Sequence, residues 1–464
     1  MKNKVKYIIL LILLNPIHIQ AQFEKWTLYK CIEYANDNNI QIKQNKLSNE
    51  INQLEIKQQK ANRIPSLNAS DNHNFNWGNS SYNTNTFSIN SSVTLFNSFQ
   101  NNNSIKQAEL KYTAGEYNIQ ATTNDINLSV ANAYLEIIFY TEQIKISKNQ
   151  LESTKQEQIN IKNKVDAGML PISNYLQIEA QMFSEELTIT NTENQLRIAK
   201  LNLMQLMEIP IHEGFEVEIP NIKLENQYKN LNQSIQAIYQ TALDSRPEIQ
   251  SAIFNTQSSE LGIKIAKAAQ LPKLSLNASI GTQFSSLSEQ ISYGDIETTT
   301  IGYLQNSPSE DVVSDQPILH SSNYPFFDQY NDNFYENVSL NLSIPIFNNY
   351  QAKTSIEQSK INLQSSKLDL INIKNNLRKT IEQAYIDLLA AKKEYDAIIK
   401  QLESYQRSYN DASKKFKAGM INSVDFLIEK TNLINAENSL LQTKFKLIFK
   451  NMILDHYQGN PITL

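Results

Sequence analysis

The sequence predicts an α+β membrane protein in which long helical hairpins accompany a few amphipathic strands. Three observations carry that prediction: one architectural unit is written twice, seven-residue apolar spacing runs through long proline-free segments, and short stretches alternate apolar and polar residues with period two. Glycine is scarce at 10 in 464 residues, while Asn, Gln, Lys, Glu, Leu and Ile dominate, which suits long helices better than a compact α/β enzyme.

The repeat is visible as two constant offsets. Ala35, Ile42, Leu54, Ile56, Lys57, Ala61, Pro65 and Leu67 recur 207 residues later as Ala242, Ile249, Leu261, Ile263, Lys264, Ala268, Pro272 and Leu274. Phe96, Asn97, Gln100, Ser104, Ile105, Gln107, Ala133, Tyr134, Ala167, Gly168, Met169 and Leu176 recur at an offset of 251, from Phe347 through Gly419 and Met420 to Leu427. The jump of 44 marks an insertion between Pro272 and Phe347. Each half reads as helix, strand, strand, long helix, turn, helix. The expected division is 1–21 as a signal peptide, 22–220 as the first repeat and 221–464 as the second, with 282–332 an extended extracellular loop.

Lys2, Lys4 and Lys6, the apolar run Tyr7 to Leu14, Pro16 and the small Ala21 have the layout of a secretory signal peptide, so the mature chain is expected to begin near Gln22. The run is far shorter than the roughly 20 residues a membrane-crossing helix needs. No later stretch approaches such a helix, so an exported chain of this kind enters a membrane as strands. The single cysteine, Cys31, excludes a disulfide framework within the chain and reads as a small buried apolar residue. Without the leader, 39 basic residues stand against 47 acidic ones, a net charge near −8 that argues against a nucleic-acid partner.

The strands carry the membrane signal. Phe87, Ile89, Val93 and Leu95 alternate with Ser88, Asn90, Ser92 and Thr94, and Val338, Leu340, Leu342, Ile344 and Ile346 alternate with Ser339, Asn341 and Ser343. A soluble sandwich would bury the apolar face against another sheet, whereas an outer-membrane barrel would turn it to lipid; alternation alone leaves both open. Leu274, Leu276, Ala278 and Ile280 begin a third strand, and a further one is expected around Leu67 and Ala69, although it puts Asp71 and His73 on the apolar face. Four strands cannot close a membrane barrel, so several chains must share one.

Val130, Ile137, Ile144, Leu151 and Val165 fall at multiples of seven, and Ile381, Leu388, Tyr395, Leu402, Tyr409 and Phe416 repeat the register. From about Gln100 to Val165 there is no proline and a lone glycine, Gly115, so one helix can run roughly 100 Å at 1.5 Å per residue.

Trp26-Thr27-Leu28 with Ala35 and Asn39, Arg246-Pro247-Glu248-Ile249, the strand-to-helix phrases Val93–Asn97 and Ile344–Asn348, and the turns Lys164-Val165-Asp166-Ala167-Gly168 and Lys415-Phe416-Lys417-Ala418-Gly419 together resemble the TolC-like outer-membrane efflux proteins over nearly the whole mature chain. The resemblance implies a homotrimer whose four strands per chain make a twelve-stranded outer-membrane β-barrel, continued into the periplasm by a hollow α-helical barrel. It implies a passive conduit, docked onto a periplasmic adaptor (membrane fusion) protein and served by an inner-membrane transporter, in a tripartite efflux or type I secretion system. Outer-membrane lipid is the remaining partner, and no cofactor is implied.

Gly168 and Gly419 read as left-handed helix caps that let the chain turn back. By resemblance the tips Ala167, Gly168, Met169 and Leu170, and Ala418, Gly419, Met420 and Ile421, contact the adaptor. The family's periplasmic constriction maps onto Asn174, Phe416, Ile421, Asp425 and Ile428; three copies of Asp425 would form a cation-attracting ring, and an acid near a helix start also serves the helix dipole. No Arg stands at Ile421, so closure is expected to rest on apolar packing involving Phe416 and Ile421. Phe96 and Phe347 fit either an interfacial aromatic girdle or a junction core. Residues 282–332 hold eight acidic residues and no Lys or Arg, which reads as a solvated loop.

Enzyme chemistry finds no footing. His73, His212, His320 and His456 show no metal-ligand or triad spacing, and no phosphate-cradling glycine loop is present. The competing reading is a secreted coiled-coil structural or adhesive protein with soluble hairpins. Drug, metal and protein export share one outer component, so cargo stays open.

Overall fold

A computed structural model describes residues 25–211, 214–220 and 229–462. The expected leader, 1–21, and His212 lie outside the described residues. The first half runs α1 (Leu28–Asn38), α2 (Ile40–Ala61), β1 (Ser66–Asn76), β2 (Tyr82–Phe96), α3 (Gln100–Asp166) and α4 (Ile172–Leu206). After a short 3-10 turn at Lys229–Asn232 the second runs α5 (Ile235–Ser245), α6 (Pro247–Ala268), β3 (Lys273–Ser285), β4 (Glu289–Leu304), β5 (Ser307–Asn323), α7 (Phe326–Asp332), β6 (Tyr335–Ser343), α8 (Gln351–Lys417) and α9 (Ser423–Tyr457).

The repeat holds residue for residue. Both halves have helices of 11, 22, 67 and 35 residues, starting and ending at the same 207 and 251 offsets. One expectation needs correction: the opening helix of each half is two helices. In the first half Asn39 breaks the run, its side-chain oxygen accepting from the backbone N–H of Gln41 at 3.0 Å while its amide donates to the Leu206 carbonyl at 3.0 Å. In the second, Pro247 starts the new helix, and Arg246 before it takes extended backbone. Arg246 also reaches the end of its own half, one guanidinium N–H donating to the His456 carbonyl at 3.4 Å.

The chain forms two compact units that cut across the repeat. One comprises the described parts of 1–50, 113–253 and 368–464. Its largest apolar cluster joins Cys31, Ala35 and Ile42 to Val130, Tyr134, Ile137 and Ile138 of α3, Leu203 and Met207 at the end of α4, and Phe445, Ile448 and Met452 of α9. Val130, Ile137, Ile381 and Leu388, all heptad positions, are fully buried. Trp26 pairs by backbone with Glu216 and Glu218, and the buried Tyr134 hydroxyl lies against the Trp26 and Glu218 carbonyls at 3.1 and 2.5 Å, fixing the start of the chain to α3.

The other unit comprises 51–112 and 254–367. It holds a four-stranded antiparallel sheet, order β1-β2-β3-β6, and a separate two-stranded sheet of β4 and β5. The register aligns the alternation of all four strands. Ala69, Ile89 and Ile280 share one face with Val93, Leu276 and Leu340, while Ser70, Ser88, Asn90, Ser279 and Asn337 share the other. The last strand is shorter than its pattern suggests: β6 ends at Ser343 because Pro345 cannot donate to a ladder, leaving Ile344 and Ile346 outside it. Two consecutive left-handed residues, Ser98-Phe99 and Asn349-Tyr350, turn the chain into the long helix in each half.

The insertion between β3 and β6 is ordered rather than an irregular loop. β3 continues to Ser285, β4 and β5 pair as a long hairpin, and α7 returns against β3. That return explains Asp71 and His73. Asp71 accepts from the buried Asn85 amide at 2.8 Å, Asn85 also receives the Tyr330 hydroxyl, and fully buried Gln329 donates to the Ser285 and Tyr324 carbonyls at 3.0 and 2.7 Å. Asp71, His73 and Asn85 thus lie at the distal end of the apolar face, where α7 supplies Tyr330.

The Arg246 junction has a consequence for pH. Its side chain donates to Glu248 at 2.8 Å and faces the His456 ring nitrogen at 3.0 Å and the Tyr457 ring. Burial, helped by the guanidinium charge, pulls His456 down to about 4. The unfolded chain takes up that proton near pH 6.5, so the stability is complete above that value and is lost as pH falls through about 4, by roughly 3 kcal/mol. Thermal melts in detergent between pH 7 and 4 should show this acid loss, and His456→Gln should flatten it; coincident profiles would exclude His456 as its source.

Candidate functional site

Three surfaces bear on function: the hairpin tips, the helices just behind them, and the two faces of the sheet. At the tips, Gly168 and Gly419 both take φ of +72°, a conformation only glycine adopts without strain. Met169 N–H donates to the Lys164 carbonyl at 2.8 Å and Gly168 N–H to Val165 at 2.9 Å; the second tip repeats this with Met420 to Lys415 at 2.9 Å and Gly419 to Phe416 at 3.1 Å. This double closure satisfies the last helical carbonyls and brings the chain back within five residues. It also strands two large apolar side chains in solvent, Met169 and Met420, about 70% exposed. Ala167 and Ala418 are exposed beside them, and Leu170 and Ile421 are half-buried.

The residues matched to the constriction do not form one cluster within a chain. Asp425 is exposed in the first turn of α9, where its backbone N–H is capped by Asn422 at 2.9 Å. Asn174 is half-buried at the start of α4, which has no side-chain cap. Ile428 is exposed and lines a groove with Val424, Gln177 and Gln181. Phe416 instead stacks on buried Phe426 of its own hairpin, centroids 4.8 Å apart and planes within 9°. Lys164 lies 5.8 Å from the Phe416 ring centroid.

Behind the tips the structure holds a network that sequence reading missed. Lys430 of α9, 1% exposed, donates to Glu157 at 2.6 Å and to the Thr154 hydroxyl at 2.8 Å, both on α3. Thr154 in turn donates to Glu185 of α4 at 2.6 Å, Gln181 donates to the other Glu185 oxygen at 2.9 Å, and the Tyr409 hydroxyl of α8 donates to Glu157 at 3.1 Å. Burial and the Glu157 charge push Tyr409 up to about 12, so it remains a donor. All four long helices meet in this network. Its signal was present in the sequence: Phe426, Lys430 and Leu433 share one helical stripe, so a charge sits in a core seam. The repeat concealed it, because the positions matching Lys430 and Tyr409 in the first half are Glu179 and Gln158.

On the sheet, Val338, Leu340 and Leu342 are 58 to 73% exposed, and Leu67 likewise. The apolar face from Leu274 to Phe284 spans about 33 Å along β3, or ~25 Å of height at a ~40° tilt, the thickness of an outer-membrane band. Aromatics flank it. Phe96 and Phe347, both exposed, sit edge-on to Phe99 and Tyr350 at the helix end, while Phe75 and Trp77 stack at the other. Among the described residues no helix is long and apolar enough to cross a membrane, and no three His, Cys, Asp or Glu residues sit together as metal ligands.

Long coiled-coil hairpins joined to an open sheet with one lipid-compatible and one aqueous face define a subunit of an outer-membrane channel. The outer membrane efflux protein family model matches residues 31–207 and 238–448, and the chain belongs to that family. It is 19% identical over 377 residues to outer membrane efflux protein BepC of Brucella suis, covering 81% of this chain and 72% of BepC. It is also 19% identical over 335 residues to outer membrane protein TolC of Escherichia coli, covering 72% of this chain and 61% of TolC. Among solved structures CusC superposes with a TM-score of 0.75 at 18% identity, covering 94% and 92% of the two chains. VceC of Vibrio cholerae gives 0.73 at 14%, covering 94% and 97%. The protein is therefore an outer-membrane efflux channel reaching into the periplasm, and not an enzyme.

Removing one partner of a buried ion pair leaves the other uncompensated. Lys430→Ala should thus cost about 3 kcal/mol, and Lys430→Arg less. Melting the two variants in parallel checks this, and equal melting of Lys430→Ala and the unaltered protein would exclude a stabilising network.

Proposed function

We propose that three copies join their four-stranded sheets edge to edge into one twelve-stranded barrel and their helical hairpins into a hollow tunnel, forming a passive conduit. The observation that carries this reading is the sheet itself. Its outer strands, β1 and β6, have no partner on one side among the described residues, and its apolar face is bare. Hydrocarbon suits the apolar face but not the unpaired edges, which neighbouring copies would have to complete.

In this reading the tips meet a periplasmic adaptor protein, and an inner-membrane transporter delivers the cargo. The bare Met169 and Met420 side chains favour that contact, since unbranched thioethers pack adaptably against a partner's helices. Asp425, exposed in the first turn of α9, forms an acidic ring at the entrance, which Asn174 and Ile428 also line. Closure rests on the packing of Phe416 against Phe426 and on the Lys430 network, which ties the two hairpins of each chain together. The insertion 282–332 leaves the sheet at the end away from α6 and α8, which supports an extracellular position for it in this reading.

Purified mature protein should run in detergent with the mass of three chains and give discrete single-channel conductance in planar bilayers. A soluble, non-inserting monomer would favour the secreted coiled-coil alternative. Pairing Met169→Glu with Met420→Glu should abolish capture of the cognate adaptor while leaving trimer mass and conductance intact. Undiminished capture would move the contact elsewhere.

A further inference from the structure

The polar face of the four-stranded sheet is almost free of charge. Along β1 it presents Ser66, Asn68, Ser70, Asn72 and Asn74, and along β2 Thr84, Thr86, Ser88, Asn90, Ser92 and Thr94, each opposite a residue of the same kind on its neighbour. β3 and β6 continue with Ser275, Asn277, Ser279, Asn337, Ser339, Asn341 and Ser343. The exception is Lys273. It pairs with Ser343, in register with Ser275 and Asn277 two and four residues on, and is exposed. The carboxylates of the four strands, Asp71 and Glu336, pair with Phe87 and Ile280 and so lie on the apolar face.

A lysine anchoring a barrel at the lipid interface would sit on the apolar face, and Lys273 is on the other. The fold does not require a cation there either, since Ser66 occupies the matching position of the first half. Around Lys273 a groove is lined by Ser66, Ser92, Thr94 and Ser275, whose hydroxyls add donors beside the ammonium group.

We propose that Lys273 is a selectivity-determining residue of the pore: three copies form a cationic ring where the strands meet the helices, drawing anions and cargo bearing carboxylate, phosphate or sulfonate groups. This rests on the trimeric channel reading above, which turns the polar face toward the lumen. In a bore lined by neutral hydroxyls and amides no other strand residue competes with that ring, and narrow low-dielectric walls focus its field.

Reversal potentials across a potassium chloride gradient test the assignment on the intact trimer. Lys273→Ser, which makes the two halves alike, should lower the chloride-to-potassium permeability ratio by about twofold or more, and Lys273→Glu should lower it further. Lys273→Arg should preserve it. Steady single-channel conductance with a ratio indifferent to residue 273 would overturn this assignment alone. Absence of any conductance in the unaltered protein would overturn the channel reading on which it rests.

Discussion

Two strand edges govern this molecule. β1 and β6 end the four-stranded sheet, and each offers a row of backbone donors and acceptors that no described segment of the same chain engages. Hydrocarbon cannot tolerate them and water would invite aggregation, and the proposed ring of three sheets is the arrangement that would satisfy both. The register follows from the same demand. A slip of one residue would send Ile89, Ile280 and Leu340 to the aqueous face and a row of serines and asparagines to lipid, so the alternation and the pairing must agree on every strand, as they do.

The helices answer a different constraint. A helix of 67 residues has few contacts of its own to resist bending, and heptad packing against neighbours provides them. Where the seam is apolar, as at Val130, Ile137, Ile381 and Leu388, it serves cohesion. Near the tips it changes character, and Lys430, Glu157, Thr154, Glu185 and Tyr409 replace the apolar knobs. A charged seam holds only in one alignment, because each donor must meet its acceptor, whereas apolar side chains slide with little penalty.

Charge is distributed unevenly. The sequence around the second tip carries Lys414, Lys415 and Lys417 as well as Asp425, the sheet's polar face is neutral apart from Lys273, and the insertion holds eight acidic residues without a Lys or Arg.

The fold was largely legible from sequence because a repeat supplies its own control. Two constant offsets placed the long helices, the glycine turns and the strands, and seven- and two-residue spacings named them. The candidate site was legible only in part: the tip glycines announce a turn wherever they occur, but Lys430 has no counterpart in the other half, and its partners lie on helices hundreds of residues apart in the chain. Likewise the sequence marked Asp71 and His73 as misfits on an apolar face without revealing that Asn85, Tyr330 and α7 accommodate them. By itself, then, the sequence determined period, length and local turn, which depend on neighbours along the chain. Only the tertiary structure decided which charges are buried, which face each polar group shares and what pairs with Lys430, because those depend on groups brought together by packing across the four helices and across the strand register.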